Sequence, residues 1–247
     1  MMQAKHNNLI IVPVGAPIDK FIKMHNMDFD VNNHWRNTNN ERNYDILAIQ
    51  YGDFAPEDGT YDQLVKIKGS KWKLLKQLPD IDFNQWSYIG FFDDDVVVHA
   101  ADVCASFDFA NSKSIGAFQM SVDSNSESSY PILRQNPDLI WSETNFIEIM
   151  CPCFTSKNFY KLLDFLSAYD VDWGWGLDYI FSDLFDCNLG VLHFISMFHP
   201  SRLDSGTNVN TSSAHVEWDE VMKKHYPKYK GQAWEASRGR ELNVYFK

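Results

Sequence analysis

Three consecutive carboxylates, Asp93-Asp94-Asp95, follow the apolar run WSYIGFF. Like charges held within a few ångströms repel one another, so the cluster needs a neutralising partner, and a hard divalent cation with oxygen ligands supplies one. Val96-Val97-Val98 follow at once, which pins the cluster between apolar segments and argues against a freely solvated turn. A second set is Trp173-Gly174-Trp175-Gly176-Leu177-Asp178. Two glycines interleaved with two tryptophans suit neither helix nor strand. They suit a loop that allows close approach and presents flat apolar faces, on which sugar rings stack. Asp178 stands where DYIFSDLF opens a helix, and the positive end of the helix dipole favours an ionised carboxylate there. The third set, Phe198-His199-Pro200-Ser201-Arg202, offers an imidazole, a good transition-metal ligand beside carboxylates.

These residues need a scaffold, and the order of elements predicts one. Leu9–Val14 reads as a buried strand closed by Pro13 and Gly15, and Pro17 starts a helix covering Ile18, Phe21 and Ile22. Asp45–Tyr51 is the next strand, stopped by Gly52-Asp53, and the Asn-rich stretch Asn32–Asn43 before it is a loop. Ser70 caps a helix over Lys71–Leu78 that Pro79 ends, and Trp86–Phe92 runs as a strand into the acidic cluster. Strands alternating with helices predict a mainly parallel sheet, and in such sheets ligands sit beyond the carboxyl ends of the strands, where the cluster falls. Further strands are expected at Ser114–Met120, Asn145–Phe154 and Leu189–Met197, with a polar loop at Ser121–Ser129. Helices are expected at Ser156–Ala168, with an apolar face at Phe159, Leu162, Leu163 and Leu166, and at Ala214–Tyr226. The final residues are a tail that packs on the body. There is no internal repeat or low-complexity tract.

A strand ending in Asp-x-Asp after an N-terminal βαβ half resembles the DxD motif of GT-A glycosyltransferases. The resemblance implies an α/β fold of GT-A type, with a mixed, mostly parallel central sheet flanked by helices. It implies a single domain over 1–247: a Rossmann-like nucleotide-sugar-binding half at about 8–99, an acceptor half at about 100–203 and a C-terminal extension at 204–247. It also implies Mn2+ or Mg2+ on Asp95, supported by Asp93 and Asp94. The stretch from Trp173 to Asp178 is similar to the WGWG-Gly-Glu loop of the β-1,4-galactosyltransferases, whose acidic residue lies in the acceptor site and serves as the base. This chain departs from that loop at Leu177, where the family has Gly, and at Asp178, where it has the longer Glu. Carried over, Asp178 is the catalytic base and Trp173 and Trp175 meet the acceptor. His199 stands just past the last core strand, where GT-A enzymes supply a further metal ligand; the galactosyltransferases carry His-Ser-Arg there, and here Pro200 is inserted. His99 and His193 are alternatives to it.

Tyr51-Gly52-Asp53 and Glu148-Ile149-Met150-Cys151-Pro152 are similar to features of a GT-A-like family of bacterial, plant and viral proteins without assigned specificity, and the resemblance spans about residues 8–203. The implied reaction moves a sugar from a nucleotide-sugar, UDP-linked, to an acceptor hydroxyl with inversion. Pro13, Val14, Gly15, Tyr51 and Asp53 would hold base and ribose, with Lys71 near the phosphates beside Asp93 and Asp94. Glu143 and Glu148 compete with Asp178 as base. Glu148 lies in the apolar run Phe146–Met150, where a carboxylate needs a partner, and it contacts the acceptor or orients a loop.

Composition narrows the alternatives. A formal net charge of −11 disfavours nucleic acid and anionic membranes, apart from a patch at Lys223, Lys224, Lys228 and Lys230 that reads as a solvated helix end. No run approaches the ~18 apolar residues of a membrane span, and the apolar run at the start is too short for a signal peptide. The expected location is the cytoplasm, in solution or at the cytosolic face of a membrane, with the four Cys as thiols. Cys151-Pro152-Cys153 lacks a second pair at zinc spacing, and Asn210-Thr211-Ser212 is a glycosylation signal without meaning there. Two rivals stand beside the transferase. Asp93-x-Asp95-x-Val97 also fits HAD-like phosphatases with an aspartyl nucleophile, although that motif normally lies on the first strand of its fold. The other is a scaffold that binds sugar or nucleotide without turnover.

Overall fold

Strand β1, Asn8–Val14, is buried along its whole length, as its unbroken apolar sequence requires of a parallel strand covered on both faces. A computed structural model of the chain describes residues 2–126, 130–169, 171–200, 211–225 and 241–246. Among these, β1 lies between β2 (Tyr44–Gln50) and β4 (Tyr88–Phe91), and β3 (Gln63–Lys66) adds to β2, all parallel. The sheet continues through β7 (Cys153–Thr155), β5 (Ala117–Val122), β8 (Leu189–Met197), β6 (Leu139–Thr144) and β9 (Glu241–Phe246). Its order is β3-β2-β1-β4-β7-β5-β8-β6-β9, and β5 and β8 pair in parallel. Only β6 and β7 run against the rest, so seven of the nine strands share one direction. The fold is α/β, with a mixed, mostly parallel central sheet flanked by helices.

The helices are α1 (Asp19–Met24), α2 (Lys71–Lys76), α3 (Ala100–Lys113), α4 (Ser156–Ala168), α5 (Leu177–Phe185) and α6 (Thr211–His225). The expected bounds of α4 and β8 match those observed. At α4, Thr155 Oγ1 accepts the Asn158 N–H at 3.3 Å, and Phe159, Leu162 and Leu166 are buried. Ser70 does precede α2, but its hydroxyl makes no capping bond, and the helix ends at Lys76 rather than Leu78.

Several expectations are corrected. Of the single strand proposed for Asn145–Phe154 only Cys153 and Phe154 are extended, in β7; residues 145–152 form an irregular segment between β6 and β7. The segment still serves the sheet: Phe91 N–H donates to Pro152 O at 2.9 Å and Asp93 N–H to Met150 O at 2.8 Å. Polar Asn145 and Glu148 and the missing donor of Pro152 explain why it does not pair throughout. The strand placed at Ser114–Met120 begins at Ala117, because α3 runs to Lys113 and ends on Ser114 in the left-handed region, φ 54°. Helix α3 and strands β3, β6 and β9 were not anticipated. In α3 the buried stripe consists of Ala100, Val103, Ser106, Phe107 and Ala110, small or polar enough to hide the period. Within the C-terminal region, β9 packs on the body as an edge strand beside β6, where Trp141 stacks on Tyr245 at 4.4 Å. The expected Asn32–Asn43 loop is observed, but it sends Trp35 and Arg36 into the interior. No helix among the described residues is long and apolar enough to cross a membrane.

Candidate functional site

The parallel strands β1, β2 and β4 end on the same side of the sheet, and their carboxyl ends open into a cleft of about 800 Å3. The turn after β4 delivers Asp93, Asp94 and Asp95 to its floor. An isolated antiparallel bridge then brings His199 to them: Val97 N–H donates to Phe198 O at 2.8 Å and Phe198 N–H to Val97 O at 2.9 Å. One ligand atom from each of Asp93, Asp95 and His199 can be chosen so that all three lie within 4.8 Å of one another. His199 Nε2 stands 3.3 Å from Asp95 Oδ1, yet that buried oxygen accepts no aligned hydrogen bond. Two carboxylates and an imidazole around an unsatisfied buried oxygen fit a divalent ion such as Mn2+ or Mg2+.

Electrostatics follow from this crowding. Burial pushes Asp93 above the ordinary carboxylate range, with Asp95 adding to it, although Lys71 opposes from 2.8 Å. Burial pulls His199 down, but Asp95, Asp93 and Glu148 outweigh it and raise the imidazole to about 9. Lys71, the first residue of α2, also donates from Nζ to the carbonyls of Ile149 and Met150 in the irregular segment.

Asp94 turns the other way. Its Oδ2 accepts the N–H groups of Gly15 and Ala16 at 2.7 and 2.9 Å, fixing the turn after β1. Burial raises Asp94 to about 6 against the opposing charge of Arg36. Arg36 is only 1% exposed and donates to Ala16 O at 3.2 Å, so both charges grip the same turn. Tyr51 covers this turn, and burial followed by the three Asp charges lifts its phenol to about 12.

The WGWG loop is a close-approach loop, as its glycines suggest, but what approaches is the protein itself. Gly174 and Gly176 have φ of +79° and +97°. A Cβ on Gly174 would lie 2.1 Å from the Trp72 ring, and one on Gly176 would lie 2.1 Å from the Trp218 ring. Trp173 lines the cleft, whereas Trp175 meets His215 of α6 edge to face at 5.0 Å. Glu148 also lines the cleft. Asp178, 6% exposed, opens α5 in the interior and does not line it. Burial first, then the charge of Glu148, raises the Asp178 carboxyl well above its ordinary value.

The structure thus gathers Pro13, Gly15, Tyr51, Lys71, Asp93, Asp94, Asp95, Glu148, Trp173 and His199 around one cleft, while Val14, Asp53, Trp175 and Asp178 stand off its lining. The alternatives to His199 are elsewhere. His193 is buried on β8, its Nδ1 accepting from Asn136 N–H and its Nε2 bonded to Ser142 Oγ, and His99 stacks on Phe29. Glu143 is engaged by Asn188, Asn243 and Tyr245 at the far edge of the sheet. Ser201, Arg202, Asn210, Lys228 and Lys230 lie outside the described residues, as do the side chains of Lys223 and Lys224. Sequence reading missed Lys68 and Lys73 on the cleft wall, although the dense lysines of KIKGSKWK signal them. It also missed Arg36, which shares the Asn-rich stretch with Arg42, and Glu217 on α6, for which the sequence carries no signal.

No family model matches the chain, and no curated protein matches it. Among solved structures, S. aureus TarS 1–349 aligns at 9% identity and TM-score 0.43, covering 93% of this chain and 76% of that one. S. aureus TarS 1–349 in complex with UDP-GlcNAc aligns at 11% identity and TM-score 0.46, covering 88% and 64%. A197 from STIV aligns at 11% identity and TM-score 0.40, covering 78% and 85%. At these identities and scores the likeness says nothing of the residues in the site.

Proposed function

We propose that the chain is a metal-dependent glycosyltransferase that moves a sugar from a UDP-linked donor to an acceptor hydroxyl with inversion. The observation that carries this reading is the Asp93, Asp95 and His199 set on the floor of the cleft where the parallel strands end. Asp95 and His199, with Asp93, would hold Mn2+ or Mg2+. When bound, that ion offsets the charge that grows on a departing diphosphate. Lys71 moves from Asp93 toward the phosphates. Pro13, Gly15 and Tyr51 hold base and ribose, Val14 and Asp53 support them from off the lining, and Asp94 keeps their turn in shape. Trp173 and Glu148 form the acceptor side, with Trp175 behind them against α6. The acceptor oxygen attacks the anomeric carbon as the bond to the diphosphate oxygen breaks with its electron pair, and the acceptor proton passes to Glu148, which lines the cleft, and through it to the buried Asp178.

Glu148 is part of that transfer. It lines the cleft, and its charge adds to the burial that raises the Asp178 carboxyl. We take residues 1–247 as one domain, with a nucleotide-sugar-binding half at about 8–99, an acceptor half at about 100–203 and a C-terminal extension at 204–247. The reading sets the protein in cytoplasmic carbohydrate biosynthesis, consistent with free thiols at Cys151 and Cys153.

The test is UDP release from a panel of UDP-sugars with Mn2+, followed by NMR of the product's anomeric configuration. Asp178→Asn should lower turnover about a hundredfold or more while donor binding persists. Near-normal transfer by Asp178→Asn would remove the base assignment, and release untouched by chelation would remove the metal.

A further inference from the structure

The loop that carries Trp173 is gripped from two sides. On one side α2 supplies Trp72 against Gly174, Lys73 to Asp172 at 3.4 Å, and Lys76 to Tyr169 O at 3.0 Å. On the other, Glu217 of α6 places a carboxylate over three consecutive backbone N–H groups. Its oxygens accept from Asp172 at 2.6 Å, from Trp173 at 3.1 Å and from Gly174 at 2.8 Å. Trp218, the next residue, lies against Gly176 and meets Tyr179 edge to face at 4.9 Å. Backbone donors converging on an ionised acceptor make strong, directional bonds, and Glu217 is 9% exposed, so water competes little.

We propose that α6 is a clamp on the acceptor loop and that Glu217 is a positioning residue, setting the Trp173 wall of the cleft without touching substrate. This rests on the transferase reading above. Helix α2 carries both Lys71, bonded to Asp93, and Trp72, packed on Gly174, so the loop held by Glu217 is braced against the helix that also reaches the acidic cluster. The consequence is selective. Loss of the carboxylate frees three N–H groups and lets the loop move, while the Asp93, Asp95 and His199 set, carried on other elements, stays in place.

Two measurements on the full chain test this. The first is hydrogen exchange of amides 171–176 in wild type, Glu217→Ala and Glu217→Gln. Exchange there should quicken about tenfold or more in Glu217→Ala, less in Glu217→Gln, which keeps one acceptor oxygen, and remain unchanged in β1 and β4. The second uses the UDP-sugar that wild type hydrolyses, with methyl glycosides as acceptors. Glu217→Ala should raise the acceptor KM about tenfold while hydrolysis of the donor by water stays within about twofold. Unchanged exchange at 171–176 overturns the clamp. Quickened exchange with an unchanged acceptor KM, or hydrolysis that falls in step with transfer, overturns the positioning role. If wild type turns over no UDP-sugar, the transferase reading fails and takes the acceptor role with it, while the exchange result still decides the clamp.

Discussion

At the scale of residues, the site is built by charges that would repel if left alone. The three Asp divide their work: Asp93 and Asp95 face His199, whereas Asp94 faces the Gly15–Ala16 turn. Arg36 makes that division tolerable, since its buried charge opposes the burial that raises Asp94. Removing one member of a buried charged set costs about 3–5 kcal/mol, because the remainder is left uncompensated. Arg36→Met should therefore lower the melting temperature and, in the protein that still folds, weaken UDP binding about tenfold through the displaced turn. Arg36→Lys keeps the charge and should bind UDP with an intermediate affinity. Calorimetric titration of the three proteins decides, and equal UDP affinity in all of them would mean that the turn does not need Arg36.

At the scale of elements, β8 illustrates how a polar group enters the core at a cost that depends on pH. His193 is 1% exposed and accepts the Asn136 N–H on Nδ1, so its proton sits on Nε2, toward Ser142. Burial lowers its pKa from 6.5 to about 4. The unfolded chain binds the proton first on acidification, so this contribution is complete above 6.5 and fades as pH falls toward 4. Its full size is about 3 kcal/mol at most. His193→Asn keeps an acceptor for Asn136 but does not titrate. The gap in melting temperature between wild type and this variant should narrow from pH 7 to pH 4.5, and a constant gap would refute the assignment. Elements with unbroken apolar runs or a strong helical face, β1, β8 and α4, were legible in the sequence, as was the acidic cluster between them. What escaped was tertiary in origin. The small residues of α3 hide its stripe, β3 and β9 exist because an edge was available, and residues 145–152 are irregular because they must lend carbonyls to Lys71 and Asp93. The site shows the same division. The acidic cluster, Lys71, Trp173 and His199 meet in one cleft as their motifs suggested, whereas Trp175 and Asp178 stand off it, and Arg36 and Glu217 act only through chain segments brought near by folding.

At the scale of the whole molecule, one continuous sheet joins β4, which leads into the acidic cluster, to β8, which leads into His199. The β4–β7 and β5–β7 pairings tie the first part of the chain to the second, and the core runs through both. Such a chain should unfold in one cooperative step, with the calorimetric and van't Hoff enthalpies equal; two resolved transitions would divide it into independent domains. The claim on which the functional account stands is that the Asp93, Asp95 and His199 set holds a divalent ion that in turn holds a nucleoside diphosphate. The direct measurement is calorimetric titration of UDP with and without Mn2+, in wild type and in Asp95→Asn. In wild type the ion should tighten UDP binding about tenfold or more, and in Asp95→Asn it should have no such effect. Identical UDP binding with and without Mn2+ in the wild-type protein would contradict the account.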